Sequence, residues 1–244
     1  MSKIYEALRQ HEQTVLPMPA PFIAPAGQEM FDGLSAGNRD MQSLYHSIEA
    51  ALGQHEGGAM LLFSSAHAGE GKTTIVGGFA TTAAGNFGRS VLILDGDRQG
   101  ALCRRFTTGE AITLNELAQA PEAVLQRARR LGPRGSVAAV AVGPLLGVGA
   151  ADTQGFEILA AAKTRLKQIF DFILIDSPSL AQVPWSPVIG KLCDGVVLIV
   201  EAERTRSPVI LHAKQEFENS GAKMLGVFLN KRRLYIPRRV YRYL

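Results

Sequence analysis

The run Ser64-Ser65-Ala66-His67-Ala68-Gly69-Glu70-Gly71-Lys72-Thr73 sits between an apolar stretch, Met60–Ser64, and a helix-forming one, Thr73–Phe87. Glycines at 69 and 71 let successive backbone N–H groups curl around an anion, and the helix behind them adds its positive N-terminal end. Lys72 has the reach to meet the β- and γ-phosphates of a nucleotide, and the Thr73 hydroxyl can enter a Mg²⁺ shell. Ala68, Gly69, Glu70, Gly71, Lys72, Thr73 and Thr74 are therefore the candidate phosphate-binding residues. Ala66 stands where this loop pattern usually opens on glycine. Glycines before a helix are common on their own; the strand ahead and the helix behind make this a phosphate loop.

Working outward, further short apolar runs bounded by turn residues read as buried parallel strands: Val91–Leu94, Val137–Val142, Phe172–Ile175, Val196–Val200 and Leu225–Leu229. Helical stretches at Gly155–Phe170 and Pro208–Ser220 lie between them, so the chain reads as α/β, a doubly wound, mostly parallel sheet with helices on both faces. Ligands in that architecture bind beyond the carboxyl ends of the strands. Two strands end there in carboxylates, one in Asp95-Gly96-Asp97-Arg98 and one in Asp176-Ser177-Pro178. A strand-end aspartate often only caps a turn. Three of them beside a phosphate loop point to metal-binding and base roles.

Ahead of this body, residues 2–13 fit a short amphipathic helix, giving an N-terminal segment 1–16. Pro17, Pro19, Pro21 and Pro25 oppose regular structure and mark 17–37 as a semi-extended linker. A helical stripe of Met41, Leu44, Tyr45, Ile48 and Leu52 opens the nucleotide-binding domain, 38–230, and is read as a face packed on its core. Residues 231–244 form a tail.

The 244 residues, 46% hydrophobic and 20% charged, exclude a largely disordered chain. Two cysteines, Cys103 and Cys193, fit a reducing compartment rather than a disulfide scaffold. No apolar run reaches the roughly 18 residues that a membrane-spanning helix needs, and no signal-peptide pattern opens the sequence. The net charge of +4 is local: Lys231, Arg232, Arg233, Arg238, Arg239 and Arg242 stand in the tail without an acidic residue, and removing those six charges leaves −2 for the remainder.

The three motifs, Ser64–Thr73, Leu94-Asp95-Gly96-Asp97-Arg98 and Ile175-Asp176-Ser177-Pro178, together resemble the bacterial tyrosine kinases, cytoplasmic ATPase or kinase components of polysaccharide co-polymerase systems. The opening Met1-Ser2-Lys3-Ile4-Tyr5-Glu6-Ala7-Leu8, the stretch Gly226-Val227-Phe228-Leu229-Asn230 and Tyr-Ile-Pro-Arg-Arg at 235–239 resemble the branch encoded beside exosortase and exopolysaccharide genes. The resemblance implies a P-loop NTPase fold of the MinD/ParA-like superfamily, ATP and Mg²⁺ as cofactors, and transfer of the ATP γ-phosphate to tyrosine. It implies catalytic roles for Lys72, Asp95, Asp97 and Asp176, with Thr73, Asp95 and Asp176 at the metal. Asp95 and Asp97 share the second carboxylate motif, one helping hold the metal and Asp97 activating a tyrosine hydroxyl. Asn230 matches a position near the adenine. The implied setting is cytoplasmic, at the inner face of the cell membrane, with a membrane-anchored polysaccharide co-polymerase as partner, peripheral membrane contact only and no nucleic acid.

Two departures bear on mechanism. The family usually carries proline where Ala68 stands. Its ring-assembly helix carries a glutamate and two arginines at three-residue intervals, where this chain has Arg39, Gln42 and Tyr45; homo-oligomerisation is thus left open. Tyr235, Tyr241 and Tyr243, interleaved with arginines, resemble the C-terminal cluster that the family autophosphorylates, and an added phosphate would find arginines to pair with. A tail packed on the body, with its arginines solvated, is an equal reading, and attraction to anionic lipid is a third. Two other functions remain: a partitioning ATPase, which would carry a lysine where His67 stands, and a weakly catalytic regulator gated by nucleotide.

Overall fold

The structure is a computed structural model. It describes residues 22–23, 39–54, 57–96, 101–106, 114–126, 128–131, 134–142, 153–183 and 186–232. The helix expected at 2–13, Asp97 and the three tail tyrosines lie outside these residues. Eight strands form one sheet: β1 (Phe22–Ile23), β2 (Ala59–Ser65), β3 (Ser90–Asp95), β4 (Arg129–Leu131), β5 (Gly135–Ala141), β6 (Phe172–Asp176), β7 (Gly195–Glu201) and β8 (Met224–Asn230), in the spatial order β1-β8-β7-β2-β6-β3-β5-β4. Every neighbouring pair is parallel except β4 with β5. All six expected strands are present, within two residues at each end. β1 was not expected: the proline-rich stretch was read as opposing regular structure, yet Phe22 and Ile23 pair with Phe228 and Leu229. An edge position tolerates this, because only one side of the strand has to bond and flanking prolines cost no ladder there.

Pleating splits the strand residues between two cores. From β2, Leu61 and Phe63 join α1 (Arg39–Leu52), α2 (Lys72–Phe87) and α3 (Ala101–Phe106) on one face. Met60 and Leu62 join α4 (Leu114–Gln119), α5 (Pro121–Gln126), α6 (Thr153–Ile169), α7 (Ser186–Leu192) and α8 (Ser207–Asn219) on the other. Burial on both sides is why these strands read as continuous apolar runs rather than alternating ones. β2 lies between β7 and β6, so the loop that leaves it is flanked by the carboxyl ends of both. The glycine-rich turn, Asp95, Asp176, Glu201 and Asn230 all emerge at that one edge, where α/β sheets place their ligands.

Candidate active site

The phosphate loop leaves β2 at Ser65 and enters α2 at Lys72. Gly69 and Gly71 sit at φ +83° and +92°, conformations that favour glycine. At Gly71 space imposes the same choice, since a Cβ would lie 2.1 Å from Asn230 Nδ2. Ala68 and Gly69 are exposed, while Gly71, Thr73 and Thr74 are half-buried at the rim. Lys72 is buried, and its Nζ donates to Ser65 Oγ at 2.8 Å, which holds the ammonium under the loop. The Ser65 hydroxyl in turn donates to His67 O at 2.7 Å.

Thr73 Oγ1 donates to Asp176 Oδ2 at 2.7 Å. The hydroxyl that opens α2 and the carboxylate that ends β6 thus meet beside Lys72, although 103 residues apart in sequence. Two hard oxygen donors at the mouth of an anion cradle suit Mg²⁺, which uses one or two protein oxygens, substrate phosphates and water. Beyond β6, the chain stays against the loop: Leu180 and Ala181 donate their N–H groups to Ser65 O and Ala66 O.

Asp95 is fully buried beside Asp176, its Cα partner across the β3–β6 ladder. Its Oδ2 accepts the N–H groups of Leu102 and Cys103, at 3.0 and 3.1 Å, so one carboxylate oxygen holds the first turn of α3. That short helix was not expected, and neither was the capping. Gly96 brings the ends of β3 and β6 together: its N–H donates to Asp176 O at 2.9 Å, where a Cβ would come within 2.3 Å of that oxygen. Burial, reinforced by Asp95, pushes the neighbouring Cys103 thiol up to about 12.

Glu70, one of the expected phosphate-binding residues, has a buried carboxylate that ties the loop down. Oε2 accepts His67 N–H at 2.9 Å, and Oε1 accepts Glu201 N–H at 3.4 Å and the Thr205 hydroxyl. Asn230, implied to lie near an adenine, spends its amide on the loop: Nδ2 donates to Glu70 O at 2.9 Å. Lys231, read as the first charge of a basic tail, donates from Nζ to Gly69 O at 2.6 Å and pairs with Glu201 Oε2 at 3.2 Å. Spacing carries no trace of the contacts that tie the loop to β7 and β8, which join residues 131 to 162 positions apart.

Of the three assembly positions, Arg39 is exposed and Gln42 half-buried, but Tyr45 belongs to the core. Its ring stacks on Phe87 at a centroid distance of 3.8 Å, and its hydroxyl donates to Glu49 and accepts from Arg89. Burial pushes that hydroxyl above its ordinary range, the Arg89 bond opposing it.

No protein-family model matches the chain. It is similar to the tyrosine-protein kinase CpsD of Streptococcus agalactiae, 42% identical over 66 residues, which cover 27% of this chain and 29% of CpsD. It is also similar to the succinoglycan biosynthesis transport protein ExoP of Rhizobium meliloti, 29% identical over 182 residues, covering 70% of this chain and 22% of ExoP. The match thus spans less than a third of either relative. Among solved structures, the kinase domain of the Escherichia coli tyrosine kinase ETK superposes with a TM-score of 0.62 at 19% identity, over 97% of this chain and 91% of that one. That superposition establishes a shared fold, and the sequence matches establish descent: the chain is a homologue of the bacterial tyrosine-protein kinases.

Proposed function

We propose that the protein is an ATP-dependent protein-tyrosine kinase that phosphorylates its own C-terminal tyrosines in the control of exopolysaccharide biosynthesis or export. The Thr73–Asp176 contact beside the buried Lys72 carries the reading, because it joins the phosphate loop to the carboxylate that ends β6, with Asp95 of the third motif buried alongside. The names of CpsD and ExoP supply the activity and its setting. In the reaction, a tyrosine oxygen bonds to the γ-phosphorus while the bond from that phosphorus to the β–γ bridging oxygen breaks. ADP leaves, and the phenolic proton passes to a carboxylate, for which Asp97 is the candidate. Lys72 and the loop amides hold the phosphates in line; Thr73 and Asp176 would hold Mg²⁺, which would supply charge neutralisation. Asp95, beside Asp176 on the ladder, would lie next to that metal while holding α3. Tyr235, Tyr241 and Tyr243 are the acceptors. A membrane-anchored polysaccharide co-polymerase is the partner that draws the protein to the cytoplasmic face of the membrane. Among the described residues no helix is long and apolar enough to cross a membrane.

The burial of Tyr45, at a position where the family places an assembly arginine, favours a second reading: a nucleotide switch that does not phosphorylate its neighbours. Incubation with ATP and Mg²⁺, followed by phosphotyrosine mapping by mass spectrometry, separates the two. Label on one or more of the tail tyrosines, abolished in Lys72→Met, is the expected result. Phosphate release without phosphotyrosine supports the switch and sinks the kinase.

A further inference from the structure

Two consecutive residues at the end of β8 grip two consecutive peptide units of the phosphate loop. Asn230 Nδ2 holds the Glu70 carbonyl, and Lys231 Nζ holds the Gly69 carbonyl. Carbonyl and N–H point in opposite directions across a trans peptide. Fixing the Gly69 oxygen therefore turns the Glu70 N–H away from the end of β8, and fixing the Glu70 oxygen does the same for the Gly71 N–H. These are the amides that precede Lys72 in the anion cradle. The grip is itself braced. Lys231 N–H donates to Asn230 Oδ1 at 2.9 Å, which holds the lysine backbone at φ +56°, an uncommon value for a side chain of this size. Glu201 balances the ammonium through Oε2, while its N–H reaches Glu70 Oε1.

We propose that Asn230 and Lys231 form a clasp that presets the Glu70 and Gly71 amides for the polyphosphate of a nucleotide, with Lys231 as a positioning residue that acts from outside the cradle. The inference rests on the nucleotide-binding reading above and adds a determinant of affinity to it. A loop whose amides are already aimed loses less freedom when an anion seats, so the clasp acts on binding. Lys231 is half-exposed, with a side chain 46% accessible, so its contribution is modest.

The test is ADP binding in the presence of Mg²⁺, by titration calorimetry on the full chain, for wild type, Lys231→Met and Lys231→Arg. The clasp predicts that Lys231→Met weakens ADP by about threefold to tenfold, with the unfolding midpoint of the nucleotide-free protein unchanged. Lys231→Arg, which keeps a cationic donor, restores most of the affinity. Equal affinity for wild type and Lys231→Met overturns the clasp and leaves the nucleotide site standing. So does a loss that arginine fails to restore, or one matched by an equal loss of nucleotide-free stability. Wild-type protein that binds neither ADP nor ATP overturns the nucleotide reading itself and the clasp with it.

Discussion

Asp194 closes α7 at the end of the sheet opposite the nucleotide loop, and its carboxylate gathers three donors. Met60 N–H reaches Oδ2 at 2.8 Å, Lys167 Nζ lies 3.0 Å from the same oxygen, and Lys163 Nζ is 3.3 Å from Oδ1. Burial pushes the carboxyl up, but the Met60 N–H and the two ammonium groups outweigh it and hold it below the ordinary carboxylate range. A carboxyl depressed in the folded state stabilises the protein above its unfolded pKa, and that contribution disappears as pH falls through the folded value. Asp194→Asn is expected to cost about 1 kcal/mol at pH 7. Urea denaturation between pH 7 and pH 3 checks the sign: the gap between wild type and variant should close on the acid side. A gap that stays constant would show that shape rather than charge matters at this position.

Individual helices differ in how far their pattern announces them. α1 carries Met41, Leu44, Tyr45 and Ile48 at the spacing of one helical stripe, and all four are buried against α2 and the sheet. Tyr45 is the anchor, stacked on Phe87 and hydrogen-bonded through Glu49 and Arg89. Tyr45→Ala is expected to remove about 3–5 kcal/mol, as deletion of a buried aromatic ring generally does, and to lower the thermal midpoint by roughly 10 °C. Arg39→Ala, on the exposed face of the same helix, should stay within about 0.5 kcal/mol of wild type. Thermal scans of the two variants check this contrast, and similar midpoints would place Tyr45 outside the core. The long elements were legible because burial writes a period into their sequence, 3.6 for α1 and continuous apolarity for β2, β6 and β7. Six- and seven-residue helices such as α3 and α7 are too short to show a period, and β4 is a three-residue edge strand. At the site, the loop motif and the strand-end aspartates were legible as local words. The capping of α3 by Asp95, the anchoring of the loop by Glu70 and the grip of Lys231 were not, because each depends on which strand ends the sheet order brings together.

At the scale of the whole molecule, that sheet order gathers the loop, Asp176, Glu201 and Asn230 at one edge and divides the charge: a slightly acidic body carries the site, and the positive excess begins at Lys231. A ligand held by the loop after β2 and by Asp176 of β6 depends also on β7 and β8, whose Glu201 and Asn230 brace that loop, so binding must stabilise the global fold. At a free nucleotide concentration one hundred times the dissociation constant, the linkage amounts to about 2.7 kcal/mol. For a chain of this length that raises the thermal midpoint by roughly 5–10 °C. ADP with Mg²⁺ is expected to produce this shift in wild type and to lose it in Lys72→Met, where the buried ammonium is gone. Thr73→Val, which deletes the hydroxyl that meets Asp176, should bind ADP almost as well without metal as with it, while wild type gains from Mg²⁺. Differential scanning fluorimetry with and without EDTA reads all of these. A wild-type midpoint that nucleotide leaves unmoved would deny that the loop and Asp176 form one anion site. A Mg²⁺ increment that survives in Thr73→Val would place the metal away from the Thr73–Asp176 pair.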